Sequence, residues 1–438
     1  MLYLEYIILF GDDKVSDQRR TEIAKGIGMT VLTDPKFKTG SIVVNFVCKH
    51  SKESAAANAA VAFMIENTCK SCPTVTEFSK RLGMLYGASV NTGICRYIDS
   101  AQLTAAASCI ADKYALNGED ITYETAKLLT ECIFEPVTEV VNGEEMFPEK
   151  QFALKKQELI DSIDADINDK RTYALKNAGR IIYENEPSGI PIKGERSDAA
   201  ALTSAEAYRA YKNILKTARI EIVLVGNSIS DKCIELMTEC FSNMEREGVY
   251  EIVKNTSPAK PETAEKTDRL EVVQSKMVMA YKTDITDYGV PRLFSAILGG
   301  TAFSMLFKTV REKLSLCYYC SASTNRNKGV LYIDSGVESE NIEPAKAEIM
   351  RQVGLAVNGE FSDDLIEKTK LLITCASKSG FDSPRFAADW IADGYLCGEY
   401  FSPEEAAEKI NAVTREQLCE YARSLKLDTV YVLTGKEA

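Results

Sequence analysis

Apolar and polar positions along this chain follow the same sequence of periods twice. The stretch "GSIVVNFVCK" (40–49) is an almost unbroken apolar run of strand length, and a helical run begins after it at Ser54. In "PTVTEFSKRLGMLYG", Thr74 and Glu77 have capping-box spacing, and Phe78, Leu82, Leu85 and Tyr86 share one helical face. Two strand patterns come after it, "ASVNTGICRY" and "SAQLTAAAS", then helical ones around "ITYETAKLLTECIF" and "FALKKQELIDSI".

The second round opens with the strand pattern "LEVVQSKMVMAYKT" (270–283) and a helix from about Pro291 to Lys313. Strands "LCYYCSAST" and "GVLYIDSGVE" come next. The next helix is started by Asn341 and stopped by Asn358-Gly359. Another has Ser362 as cap, Asp363 and Asp364 at its positive end and Gly380 at its close. Both rounds finish alike. "TSAEAYRAYKNILKTARIEIVLVG" (203–226) and "TREQLCEYARSLKLDTVYVLTG" (414–435) each run from a capping box through an amphipathic helix into a strand closed by glycine. The pattern predicts an α+β chain of two duplicated domains, each a mainly antiparallel sheet flanked by helices. The apolar-poor "NTSPAKPETAEKT" (255–267) is the linker candidate between domains at 1–254 and 268–438.

Composition narrows the function. A chain of 438 residues with 45% apolar and 26% charged content is an ordinary globular protein, too long for one core. No apolar run reaches the ~18–20 residues that cross a bilayer, and "MLYLEYIILF", with Glu5 and no basic start, makes a poor signal peptide. Thirteen irregularly spaced cysteines fit reduced thiols in the cytoplasm. A net charge of −12 argues against nucleic acid and anionic membranes as partners. The only histidine is His50, so imidazole triads and two-histidine zinc sites are excluded, and His50 itself reads as a polar strand-end residue.

The cysteines form two Cys-x-x-Cys pairs. Cys317 and Cys320 lie in a strand, where residues three apart are expected on opposite faces and could not chelate together. Cys69 and Cys72 lie in a loop, where a metal or a redox pairing is open to them. Nothing nearby completes four ligands, and the pair reads as structural thiols.

Three stretches carry a resemblance: "PTVTEFSKRLGMLYGAS", "ENEPSGIPIKG" (184–194) and "ILGGTAFSMLFKTVREKLSLCYYCSAS". In order and spacing they resemble the pitrilysin/insulinase zinc peptidases, which include the mitochondrial processing peptidases, from about residue 37 to the end. The resemblance implies two similar α+β domains forming a half-shell, two of which close around an unfolded peptide. It also implies an inverted zinc motif, H-x-x-E-H, whose histidines bind zinc while the glutamate activates water. Counting back from Pro73-Thr74 puts that motif at Ala59, Ala62 and Phe63, all apolar. The downstream carboxylate ligand would fall near Glu158 or Asp161, with no clean match.

The part that the resemblance preserves is in the second half. Arg311 and Tyr318 match a pair that faces the partner's zinc, binds peptide carbonyls and helps stabilise the tetrahedral intermediate. Gly299 and Gly300 match a substrate-sensing loop, although glycines there also simply interrupt a helix. The implied protein is a non-catalytic subunit of a heterodimeric metallopeptidase, without metal or cofactor of its own. A homologous partner would bring H-x-x-E-H and zinc, and short or unfolded peptides would be the substrate. The alternative is a scaffold or peptide-binding homologue, including a homodimeric peptide-binding shell.

Overall fold

The computed structural model describes residues 16–435, so "MLYLEYIILF" lies outside the described residues. The chain runs β1 (Asp17–Ala24), β2 (Ile27–Thr33), β3 (Thr39–Lys49), α1 (Ala55–Met64), α2 (Val75–Met84), β4 (Ser89–Tyr97) and β5 (Ser100–Ile110). Next come α3 (Ile121–Phe134), the short β6 (Glu139–Val141) and β7 (Glu144–Met146), α4 (Glu149–Asp164), α5 (Lys170–Ile182), α6 (Arg196–Ala201), α7 (Ser204–Thr217), β8 (Arg219–Gly226) and α8 (Asp231–Ser242). The second series is β9 (Ala264–Arg269), β10 (Ser275–Lys282), α9 (Val290–Ser295), β11 (Cys317–Asn325), β12 (Val330–Val337), α10 (Ile342–Val357) and α11 (Asp363–Gly380). It ends with α12 (Pro384–Leu396), α13 (Pro403–Asn411), α14 (Arg415–Ser424) and β13 (Lys426–Thr434). Among the described residues no helix is long and apolar enough to cross a membrane.

The duplication is visible in strand order. One sheet runs β4-β5-β3-β8-β2-β1 and the other β11-β12-β10-β13-β9. In each, an edge hairpin pairs antiparallel with the central strand (β3 or β10), which pairs antiparallel with the last strand of its round (β8 or β13). A parallel strand, β2 or β9, then flanks that last strand. Among the described strands of these two sheets, β1 is the one without a counterpart.

Two compact units result, and neither is contiguous in sequence: residues 165–189 join the second, and 379–400 join the first. The single division expected at 255–267 therefore differs from the way the chain partitions. Both faces of each sheet are covered. In the first unit one face packs on α1, α3, α7 and α8 through Ala59, Leu129, Tyr211 and Phe241. The other face meets Ala387, Ala388, Ile391 and Ala392 of α12. In the second unit α9, α10 and α14 cover one face, and Ala174, Ala178 and Ile182 of α5 cover the other. In both covering helices, alanines one turn apart let the helix lie close to the strands.

The stretch 255–267 is not a free linker. Its last residues start β9, which pairs with β13. Before that, Lys260 Nζ donates to the fully buried Asp428 at 2.9 Å and to Ile181 O at 2.8 Å. Lys282, also buried, donates to Ile182 O at 2.7 Å and Pro258 O at 2.9 Å and pairs with Asp428 at 3.3 Å. Burial alone would raise the Asp428 carboxyl, but hydrogen bonds from Lys260 and Thr429 hold it below its ordinary range. The strand pattern expected over 270–283 is regular only from Ser275.

Candidate functional site

Helix α1 seals the place where the inverted zinc motif is expected. Ala59 is 0% and Ala62 3% exposed, both in the first unit's main core, and Phe63 is half-buried against it. Thr92 of the edge strand β4 donates its hydroxyl to Ala62 O at 2.5 Å. Neither candidate carboxylate is poised as a ligand. Glu158 is exposed and takes Lys155 at 2.8 Å, and Asp161 accepts from Gln157 at 2.7 Å. Both are ordinary helix-surface residues. The charge that sequence reasoning missed here is Glu66, just past α1. Burial pushes its carboxyl up, with Lys155 and Glu158 close by. Among the described residues, no group of three or more His, Cys, Asp and Glu side chains is spaced to hold a metal ion.

His50 is buried at the end of β3, with Nε2 3.2 Å from Ile190 O and Nδ1 without a partner. The ring is thus the tautomer that donates from Nε2. Burial lowers its pKa, as does Arg96, while the Ile190 bond and Asp99 oppose them.

In the second unit the helix expected over 291–313 is broken. Regular α9 gives way to π-helical turns at Ala296–Gly300 and Phe307–Lys313, separated by a bend. Gly299 is where the helix presses on β11: a Cβ there would lie 2.5 Å from Ala322 N. At Gly300 the nearest atom would be 3.4 Å away. Packing accounts for the first glycine, and only the second lies exposed.

The later π turn carries Arg311. Leu314 N donates to Thr309 O at 3.0 Å, the i→i+5 bond that widens the turn. Arg311 is exposed and stacks on Phe307, 4.6 Å from the ring centroid. It has no hydrogen-bond or ion-pair partner among the described residues. The chain then reverses through Ser315, at φ +52°, into β11.

A β-bulge interrupts the start of β11. Cys317 pairs with Val337 and Tyr319 with Gly336, so Tyr318 is the extra residue. It is thrown outward, 58% exposed, with its hydroxyl donating to Glu338 at 2.5 Å. That carboxylate pushes the phenol pKa up. The bulge also overturns the expectation for Cys317 and Cys320. With one residue looped out, both thiols enter the same core face beside Ala322. Tyr319 turns instead toward Arg171, 4.7 Å from its ring. A hydrogen bond with Cys320 and the nearby Arg311 charge hold the Cys317 thiol below its ordinary range, against burial.

Comparison with known proteins agrees with this architecture. Residues 201–372 match the family model described as the peptidase M16 inactive domain. A Bacillus subtilis (strain 168) protein named "Probable inactive metalloprotease YmfF" is 26% identical over 417 residues, covering 94% of this chain and 96% of that protein. A crystal structure of a conserved protein from Enterococcus faecalis V583 superposes with TM-score 0.85 at 25% identity, covering 96% of this chain and 99% of the other. The peptidase M16 inactive domain of Pseudomonas fluorescens shares the fold, with TM-score 0.78 at 15% identity over 96% and 99% of the two chains.

Proposed function

We propose that the chain is an inactive homologue of the M16 peptidases, the pitrilysin/insulinase type, as its match to the M16 inactive domain supports, and that it is the non-catalytic subunit of a heterodimeric metallopeptidase. Ala59, Ala62 and Phe63 stand at the lost zinc motif, and a homologous partner with H-x-x-E-H holds the zinc. Arg311 and Tyr318 reach into that partner's site and donate hydrogen bonds to the peptide carbonyl. As it becomes an oxyanion those bonds strengthen, which is how fixed donors lower a barrier. Gly300 borders the bound peptide, and the substrate is a short or unfolded peptide. The thirteen unpaired thiols support a cytoplasmic location.

The observation that carries this reading is the bulge that turns Tyr318 to solvent, next to a π turn presenting an unpaired arginine. A strand residue with only a packing role needs neither device. One observation favours the alternative of a non-peptidase scaffold or peptide-binding homologue: the Tyr318 hydroxyl is already engaged by Glu338.

Reconstitution with the H-x-x-E-H homologue from the same cell decides between them. The isolated chain should hydrolyse nothing, and the pair should cleave an unstructured peptide. Arg311→Ala and Tyr318→Phe should each lower kcat/KM of the pair by about 10²–10³ while association stays unchanged. Full turnover in both variants would leave the scaffold reading standing.

A further inference from the structure

Tyr318 has one proton and two claims on it. Its hydroxyl donates to Glu338 Oε1 at 2.5 Å, and the role proposed above has the same hydroxyl donating to a peptide carbonyl. A phenol carries a single O–H, so the two bonds exclude each other.

The bond to Glu338 is not needed to satisfy the hydroxyl. Two other phenols also donate to carboxylates, Tyr208 to Glu145 at 2.5 Å and Tyr431 to Asp268 at 2.8 Å. Those residues are 8% and 0% exposed, and the carboxylate gives the polar end of a buried ring its partner. Tyr318 is 58% exposed, and water would serve its hydroxyl as well. The acceptor is also firmly mounted. Val337, just before it, is fully buried and pairs with Cys317 on one side and Ser275 on the other. Just after it, Ser339 Oγ lies 3.1 Å from Ser275 Oγ and 3.3 Å from Thr434 Oγ1, and Asn341 N donates to Glu338 O at 3.0 Å. The backbone carrying this carboxylate is pinned on both flanks, while Tyr318 stands on the looped-out residue of the bulge. Glu338 has no ion-pair partner among the described residues, so the phenol is its one polar contact there.

We propose that Glu338 is a positioning residue that holds Tyr318 out of action, an autoinhibitory contact that the reacting peptide has to break. This assignment rests on the subunit reading above. A carboxylate is a stronger acceptor than a neutral peptide carbonyl, so Tyr318 stays on Glu338 while the substrate binds, and Arg311 alone meets the carbonyl. As the carbonyl becomes an oxyanion, its charge rivals that of the carboxylate and the hydrogen bond passes to it. Breaking the resting bond then adds to the barrier. Weakening the acceptor therefore speeds the reaction, the opposite of what damage to a supporting residue does.

The test measures kcat and KM separately for the reconstituted pair on an unstructured peptide. Glu338→Gln offers a neutral acceptor of the same shape, and Glu338→Ala offers none. Turnover should rise from wild type through Gln to Ala, by about 3–10-fold at the end of the series, the worth of a charge-assisted hydrogen bond discounted for solvent. The gain should vanish when Tyr318→Phe is added. Tyr318→Phe should leave KM unchanged in the wild-type background and raise it in the Glu338→Ala background, where the phenol is free to meet the ground-state carbonyl. In the isolated chain carrying 13C-labelled tyrosine, the Tyr318 ring signal should titrate at lower pH in Glu338→Ala than in wild type, because this carboxylate holds the phenol up. The proposal is overturned if Tyr318→Phe lowers turnover while both Glu338 variants run at or below the wild-type rate. It is equally overturned if the titration midpoint stays in place. Full turnover of the pair in Tyr318→Phe would instead remove the subunit reading, and this proposal with it. A gain in rate cannot come from a folding defect, and the titration needs no partner.

Discussion

Between its central strand and its edge hairpin each unit carries a helical segment, and the two segments have diverged in opposite directions. In the first unit it opens with α1, a continuous helix of ten residues without a charge, eight of them buried, and closes with the more polar α2 before the hairpin. In the second it is wound in pieces, pressed onto β11 at Gly299, and ends in the exposed Arg311-Glu312-Lys313. The sheets beneath have the same strand order. What this connection presents thus follows from how it is wound: the sealed α1 adds to the core, while the broken segment leaves Arg311 at the surface.

The largest effect should come from unsealing the first connection. Ala62→Glu puts a carboxylate into a 3% exposed core position with no cation arranged for it. A loss of about 3–5 kcal/mol is expected by urea denaturation, whereas Glu312→Ala on the exposed turn should stay within roughly 0.5 kcal/mol. Near-equal small losses would show that α1 is not sealed.

Gly299 and Gly300 sharpen the contrast within the second connection. Gly299→Ala forces a Cβ toward the Ala322 amide and should cost roughly 1–3 kcal/mol. Gly300→Ala meets nothing closer than 3.4 Å and should be neutral to within about 0.5 kcal/mol. If the two glycines respond alike, close approach to β11 is not what Gly299 is for.

The smallest effect separates the two units by pH. After β3 stands His50; after β10 the corresponding position is Thr283, which cannot titrate. The folded-state pKa of His50 lies below the ordinary 6.5 because the ring is buried. The unfolded chain therefore takes up the proton first as pH falls. Stability from this group is full above the unfolded value and is lost as pH drops toward the folded one, by at most about 1.4 kcal/mol per pH unit. His50→Gln should flatten that part of the stability–pH curve relative to wild type. An unchanged slope between the two proteins would assign the dependence to other groups.

Apolar periodicity made most of this scaffold readable. The strands β3, β4, β5, β11 and β12 and the capping boxes at Thr74, Thr203 and Thr414 all lie where the pattern puts them. The features that stayed hidden had no side-chain signature. β9 is the polar edge strand "AEKTDR", which lacks the apolar alternation of a half-buried strand and so reads as linker. Tyr86 continues the apolar face of α2 in sequence, yet the helix ends at Met84 and Tyr86 sits at φ +57°. The bulge at Tyr318 is a single residue, and it inverts the facing of Cys317 without changing composition. Arg311 and Tyr318 were legible only through resemblance, since bare residues in a charged turn and a strand carry no chemical signal.

The covering helices α5 and α12 have a consequence for how the protein is made. When the ribosome finishes β8, every strand of the first sheet exists, yet α12, which covers one face of that sheet, lies about 170 residues further along the message. At roughly 5–20 residues per second, Leu32, Val43, Val223 and Val225 wait some ten to thirty seconds for Ile391 and its neighbours. A nascent chain in that interval offers a broad apolar sheet surface, the kind that chaperones hold and that aggregates when it is not held. Slow codons between α8 and α12 would lengthen this exposure, and so would a stop codon placed after β8.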